Sequence, residues 1–166
     1  RGTQRWRGTP LRSDDFRCNG EECANNKALS PCGLPQARLV GGKPPVFEIL
    51  DTTTVRFSWP EPNPMFLPAL AAPSPLYIYR PAHYLRQFHA RYVGIDKANA
   101  VAVAAGSRSW AGFHQKKDAQ FRFDHPDLPT LEPWMKQTPL PSLRFVLCRN
   151  PYSHRVDSSR APPPAL

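Results

Sequence analysis

The chain has 166 residues, a formal net charge of +9, 21 prolines and 9 glycines. That length supports one domain with a core, and 40% hydrophobic against 21% charged residues excludes a disordered polar tract. No apolar run approaches the roughly 20 residues that span a bilayer, and punctuation by proline and glycine keeps regular elements short, so the chain reads as loop-rich.

Arg1 to Leu11 is polar and basic around Trp6 and ends at the Thr9-Pro10 turn. Ser13 is placed as a helix N-cap, with Asp14 and Asp15 suited to the positive end of the dipole, which predicts a helix from about Asp14 to Asn25. Gly20 weakens its middle. From Ser30 to Pro45 the Ser-Pro, Cys-Gly, Leu-Pro, Gly-Gly and Pro-Pro pairs predict loop.

Val46 to Leu50 and Thr54 to Trp59 read as an antiparallel hairpin across Asp51-Thr52-Thr53. The second run alternates: Val55, Phe57 and Trp59 share one face, Arg56 and Ser58 the other. Asn63 and Pro64 have the chemistry of an N-cap and a first helical position, opening a short buried helix through Met65, Phe66, Leu67, Ala69 and Leu70 that Pro68 breaks or kinks. Leu76 to Tyr79 is extended.

Pro81 starts a longer helix whose apolar face carries Tyr84, Leu85, Phe88 and Tyr92, with Arg86, Gln87 and Arg91 pointing away. Lys97 to Ala105 predicts a small packed helix ending at Gly106, and Ser109 to about Gln120 another, with Trp110 and Phe113 inward. Phe121 to Thr138 is turn-rich around Trp134. Arg144 to Cys148 is read as a short buried strand that stops at Asn150-Pro151, because proline fixes φ and removes a donor. Ala161 to Leu166 is a proline tail, and no internal repeat is visible.

Chemistry-bearing patterns are sparse. Cys18, Cys23 and Cys32 lack the two short-spaced ligand pairs of a structural zinc site, which leaves a disulfide or free thiols for them. His83, His89, His114, His125 and His154 form neither HExxH nor HxH, and each reads as a satisfied or surface histidine. Gly41-Gly42-Lys43 lacks the upstream glycine and following Ser/Thr of a phosphate loop, and no nucleophile elbow is present. The chain therefore reads as a non-enzyme with no metal and no cofactor. The 22 Lys and Arg residues are scattered among 13 acids without a block or an aromatic-interleaved stripe, so nucleic acid is not an expected partner. Loop-borne aromatics such as Tyr77, Tyr79, Tyr84, Trp134 and Tyr152 could line a sugar or peptide cleft or serve as loop anchors.

Several phrases, taken in order, resemble landmarks of one family. They are Arg5-Trp6 with Gly8-Thr9-Pro10 and Ser13-Asp14-Asp15-Phe16, then Ala24-Asn25-Asn26-Lys27, then Asp51-Thr52-Thr53-Thr54-Val55-Arg56-Phe57. Pro62 to Leu67, Arg80-Pro81-Ala82-His83-Tyr84-Leu85 with Phe88-His89, and Arg144 to Asp157 around Arg149-Asn150-Pro151-Tyr152 complete the set. This order is similar to that of the extracellular solute-binding proteins of family 5, the peptide, nickel and oligosaccharide receptors of ABC importers.

The resemblance implies an α+β fold: part of a periplasmic-binding-protein-like N-terminal lobe, its small subdomain an antiparallel hairpin with several short helices. It covers residues 1–157, leaving 158–166 as a proline-rich tail, and it lacks the second lobe of the family fold. Arg7 stands where the family has Asp before Gly8, and Cys18-Asn19-Gly20 where it has bulky aromatics. With no signal peptide and a start in mid-phrase at Arg1, the chain reads as a mature or truncated product. The resemblance further implies a substrate-binding component for peptides or short oligosaccharides, periplasmic or extracytoplasmic, that docks on a membrane permease. Trp134 and Tyr152 are the residues expected to reach a ligand cleft. The rival reading is a basic interaction module that binds polyanions or sits within a larger assembly, with a hydrolase using Cys18 or Cys148 in third place.

Overall fold

The computed structural model describes residues 5–6, 8–72, 76–119, 125–139 and 141–153. The expected exit from the last strand beyond Ser153, the proline tail, and the end of the helix placed to Gln120 lie outside the described residues. The chain divides into two compact units, Arg12–Ala82 on the one hand and Arg1–Leu11 with His83–Leu166 on the other.

The Arg12–Ala82 unit begins with α1, Ser13–Arg17, and its capping differs from expectation by one residue. Arg12, extended at φ −133°, is the N-cap, and its N–H donates to Asp15 Oδ2 at 2.9 Å. Asp15 is buried, and its other oxygen accepts from Ala82 N–H at 2.9 Å while its carbonyl accepts from Arg80 N–H at 2.9 Å. One carboxylate thereby caps a helix and fixes the extended 76–81 segment beside it, meeting the rule that buried polar groups are bonded. Beyond Arg17 the chain winds on as π-helical turns over Cys18–Ala24, with Gly20, the weakest helix former of the stretch, inside them.

The hairpin forms as expected. β3 (Val46–Ile49) pairs antiparallel with β4 (Val55–Ser58), setting Phe47 opposite Phe57 and Glu48 opposite Arg56. Phe47 and Phe57 have ring centroids 5.1 Å apart, and Phe57 continues to Phe66 at 5.6 Å. Trp59 completes the cluster, 4.8 Å from Phe66, and places its indole N–H on the Arg38 carbonyl at 2.9 Å. The opposite face carries the exposed Arg56–Glu48 ion pair at 3.6 Å, a contact of little stabilising value in water.

The helix opens later than expected, with Met65 as N-cap and Phe66 as its first residue, while Asn63 Oδ1 accepts from the N–H groups of Met65 and Phe66, both at 3.1 Å, in the turn that leads in. The following α2, Phe66–Leu70, buries Phe66 alone, while Met65 and Leu67 are exposed. The expectation of a wholly buried helix fails because four to five residues turn only one side chain inward. Pro68 causes no break: it lies in the first turn, where its missing N–H has no carbonyl to reach.

In the second unit β1 (Arg5–Trp6) pairs with β2 (Thr9–Pro10). The helix expected from Pro81 through Tyr92 is divided. α3 (Ala82–Leu85) runs into a 3-10 turn, Arg86–Phe88, and His89 is extended at φ −95° and ψ 124° before α4, Ala90–Val93. His89 is buried, and its Nδ1 accepts the N–H of Arg91 at 3.1 Å, so it caps α4 by a local bond that competes with helix continuation. Tyr92 consequently leaves the apolar face and is exposed, while Leu85 is fully buried.

α5, Ile95–Ala104, turns Ala98 and Ala102 inward, one helical repeat apart. It ends as expected at Gly106, whose φ of 69° lets Gly106 N–H reach Val103 O at 2.9 Å and Ser107 N–H reach Ala102 O at 2.8 Å. α6, Trp110–Lys117, is capped by Ser109, whose Oγ accepts Gly112 N–H at 3.2 Å. Phe113 is buried against Phe88 at 5.5 Å, and Lys117 Nζ stands over both rings.

The last strand departs from expectation. β6 is Leu147–Arg149, and Phe145, Val146 and Leu147 are each exposed by more than a third. Its partner β5, Trp134–Lys136, lies in the segment read as turns. The pair is a two-stranded ribbon, which leaves one face of an apolar strand uncovered.

Candidate ligand-binding site

Trp134 opens β5 opposite Arg149 and is half-buried. Strand alternation sends Trp134 and Lys136 to the same face, and both line a cavity of about 50 Å³ together with His125, Leu128, Thr130 and Glu132. Its wall is therefore an indole and an aliphatic side chain, and its polar groups are an imidazole, a hydroxyl, a carboxylate and an ammonium. That mixture can hold a small polar ligand by stacking and a few directed hydrogen bonds. The volume suits one small group, since full ligand pockets run from about 300 Å³ upward.

The cavity wall is fixed by the Asn-Pro stop at the end of β6. Asn150 is 1% exposed. Its Nδ2 donates to Thr130 O at 3.1 Å and Glu132 O at 2.9 Å, and its backbone N–H donates to Pro133 O at 2.7 Å. Its Oδ1 accepts Tyr152 N–H at 3.0 Å, and its carbonyl accepts Ser153 N–H at 3.1 Å. One buried amide thus clamps the 130–133 segment on one side and shapes the exit turn on the other.

Tyr152 is carried by that turn but is not among the residues lining the Trp134 cavity. Its ring lies over Gly8, where a Cβ would come within 3.4 Å of the hydroxyl oxygen. Gly8 also has φ 98°, so backbone conformation and Tyr152 together favour glycine there. The two residues singled out from the sequence therefore stand in different surroundings: Trp134 faces a cavity, and Tyr152 is partly exposed over the β1–β2 turn.

The cavity's other residues were not legible in the sequence. His125-Pro126 and Leu128-Pro129 announced turns only, and nothing local signalled that the turns converge on Trp134. Among the described residues no three His, Cys, Asp or Glu side chains lie close enough to hold a metal ion, and the four cysteines are free thiols. Cys18 is buried, and its thiol is pushed far up by a hydrogen bond with Cys23, by burial and by the neighbouring Glu22 charge. A thiol so held is a poor nucleophile. Among the described residues, no helix is long and apolar enough to cross a membrane.

No protein-family model matches the chain, and no curated protein matches it in sequence. Among solved structures it is similar to an oligopeptide-binding protein, OppA, with 28% identity and a TM-score of 0.82 over 98% of this chain. The overlap is 24% of that chain, so the present sequence spans about a quarter of its length. In fold, the chain is similar to part of a family 5 extracellular solute-binding protein, and its α+β architecture is consistent with a partial lobe of that fold.

Proposed function

We propose that the chain is a segment of the substrate-binding component of an ABC importer, taking peptides or short oligosaccharides outside the cytoplasm. The observation that carries this is the near-complete overlap with an oligopeptide-binding protein at a TM-score of 0.82. Residues 1–157 would form the receptor segment and 158–166 a proline-rich tail. The segment belongs to the N-terminal lobe, and the second lobe closes over the ligand so that the closed form docks on the permease. Such a protein binds and releases its ligand unchanged and is not an enzyme.

Within this reading the Trp134 cavity is a subsite for one ligand group. The indole offers a flat apolar face, and Glu132 and Lys136 offer one charge of each sign to a zwitterionic peptide. Tyr152, carried by the exit turn, is a second ligand contact that does not share that cavity.

Titration of the chain with a tri- to pentapeptide mixture, followed by tryptophan fluorescence, tests the proposal. A saturable change that is lost in Trp134→Phe, and that salt weakens far less steeply than it weakens polyanion binding, is expected. The net charge of +9 supplies the rival reading. Binding to heparin that weakens steeply with salt, with no response to peptides, would replace the receptor reading by a polyanion-binding module.

A further inference from the structure

Arg38 ends the 3-10 turn Gln36–Arg38 and is 4% exposed. Its main chain is held firmly: the carbonyl accepts the Trp59 indole N–H at 2.9 Å, and its N–H donates to Pro35 O at 2.9 Å. The guanidinium lies over the Phe57 ring at 5.8 Å and donates from Nη1 to Asn19 Oδ1 at 3.1 Å. Its Nε is buried without a hydrogen-bond partner, and among the described residues no carboxylate pairs with it. A guanidinium keeps its charge in a protein, and a buried charge is costly unless paired. Burial and the nearby charge of Arg80 both press against the charged form here.

The same side chain lines a cleft of about 240 Å³, walled by Leu34, Pro44, Pro45 and Phe47 and carrying Glu21. We propose that this cleft binds a small aliphatic monocarboxylate, held by the guanidinium of Arg38. A carboxylate there would supply the counter-charge that the buried guanidinium lacks, accepting charge-assisted hydrogen bonds from donors that the Nη1–Asn19 bond leaves free. The proline, leucine and phenylalanine walls suit a short hydrocarbon tail. Glu21 is exposed, and its charge disfavours a second carboxylate on the ligand. The site lies wholly within the Arg12–Ala82 unit and does not depend on the Trp134 cavity.

The test is a titration of the ¹⁵N-labelled chain with sodium butyrate, read against sodium chloride at equal ionic strength. The Arg38 Nε–H resonance is assigned by its disappearance in Arg38→Lys. Butyrate is expected to move that resonance and the Phe47 amide saturably at about millimolar concentration, at least tenfold more weakly in Arg38→Lys. Equal shifts with chloride, or none up to about 50 mM butyrate, overturn the proposal. Should Arg38→Lys fail to fold, Glu21→Gln carries the test from the cleft surface. It is expected to tighten butyrate about twofold to fivefold by removing a like charge, and an unchanged dissociation constant overturns the assignment.

Discussion

Asn150 Nδ2 donates to the carbonyl of Glu132 at 2.9 Å, joining the stop of the last strand to the wall of the Trp134 cavity. The bond spans 18 residues of chain, and the amide makes a second one to Thr130 O. Asn150→Ala removes both and leaves two carbonyls without their donor, while the Tyr152 N–H loses its acceptor. The expected loss of stability is about 2–4 kcal/mol, read by urea denaturation. Trp134 emission should shift toward that of exposed indole under native conditions as well. A variant within about 0.5 kcal/mol of the parent would show that Asn150 clamps nothing.

Asn150 also shows where the sequence was informative and where it was not. Asn before Pro after a β-former run announces a strand end, because both residues act locally. Its partners at 130–133 belong to a segment with turn signals only, and long-range hydrogen bonds leave no periodic trace. The β3–β4 hairpin was legible for the opposite reason: period-two alternation, a short polar turn and aromatic facing positions all pointed one way. So was Gly106, whose role as a helix stop depends only on the few residues around it. The break at His89 was hidden, since the apolar spacing of Tyr84, Leu85, Phe88 and Tyr92 fits one helix and tertiary burial of the imidazole overrides it. Of the two site residues, Trp134 meets a cavity and Tyr152 meets Gly8, a distinction that composition around loops does not contain.

Phe66 is the inward residue of α2 and touches both Phe57 and Trp59. Phe66→Ala removes the ring at the centre of that cluster and is expected to cost about 3–5 kcal/mol. Phe66→Leu keeps most of the volume and should cost less than half as much. Thermal melts followed in the near-ultraviolet, where the aromatic cluster contributes, would decide it. Equal melting temperatures for the two variants would place the cluster outside the stabilising core.

Thiol reactivity is governed by burial and hydrogen bonding. Cys32 is exposed and Cys18 is buried with its thiol pushed strongly up, first by the bond with Cys23 and then by desolvation. Iodoacetamide at pH 8 should therefore modify Cys32 first, Cys23 and Cys148 more slowly, and Cys18 only after urea is added. Peptide mass mapping of a time course reads the order directly. Early labelling of Cys18 would mean that the π-helical turns open readily under native conditions.

The β3–β4 turn carries its own pH dependence. Asp51 Oδ1 accepts from Thr53 N–H at 2.7 Å and from Thr53 Oγ1 at 2.9 Å. The backbone bond from Thr53 is the largest cause that holds its carboxyl below the usual range, with Thr54 and the Thr53 hydroxyl adding to it. A depressed folded pKa means the charged form is favoured by folding, so this contribution is present in full above the unfolded value near about 3.9. It is lost as pH falls through the lower, folded value. Because the group lies wholly in solvent, the effect is small and confined to the acid limb. Asp51→Asn keeps an acceptor oxygen but cannot ionise, so its stability should fall less steeply than the parent's below pH about 4. The two should run parallel between pH 5 and 7. Urea midpoints measured from pH 7 to pH 3 compare the slopes, and acid limbs of equal steepness would show that the turn's hydrogen bonds do not favour the ionised carboxylate.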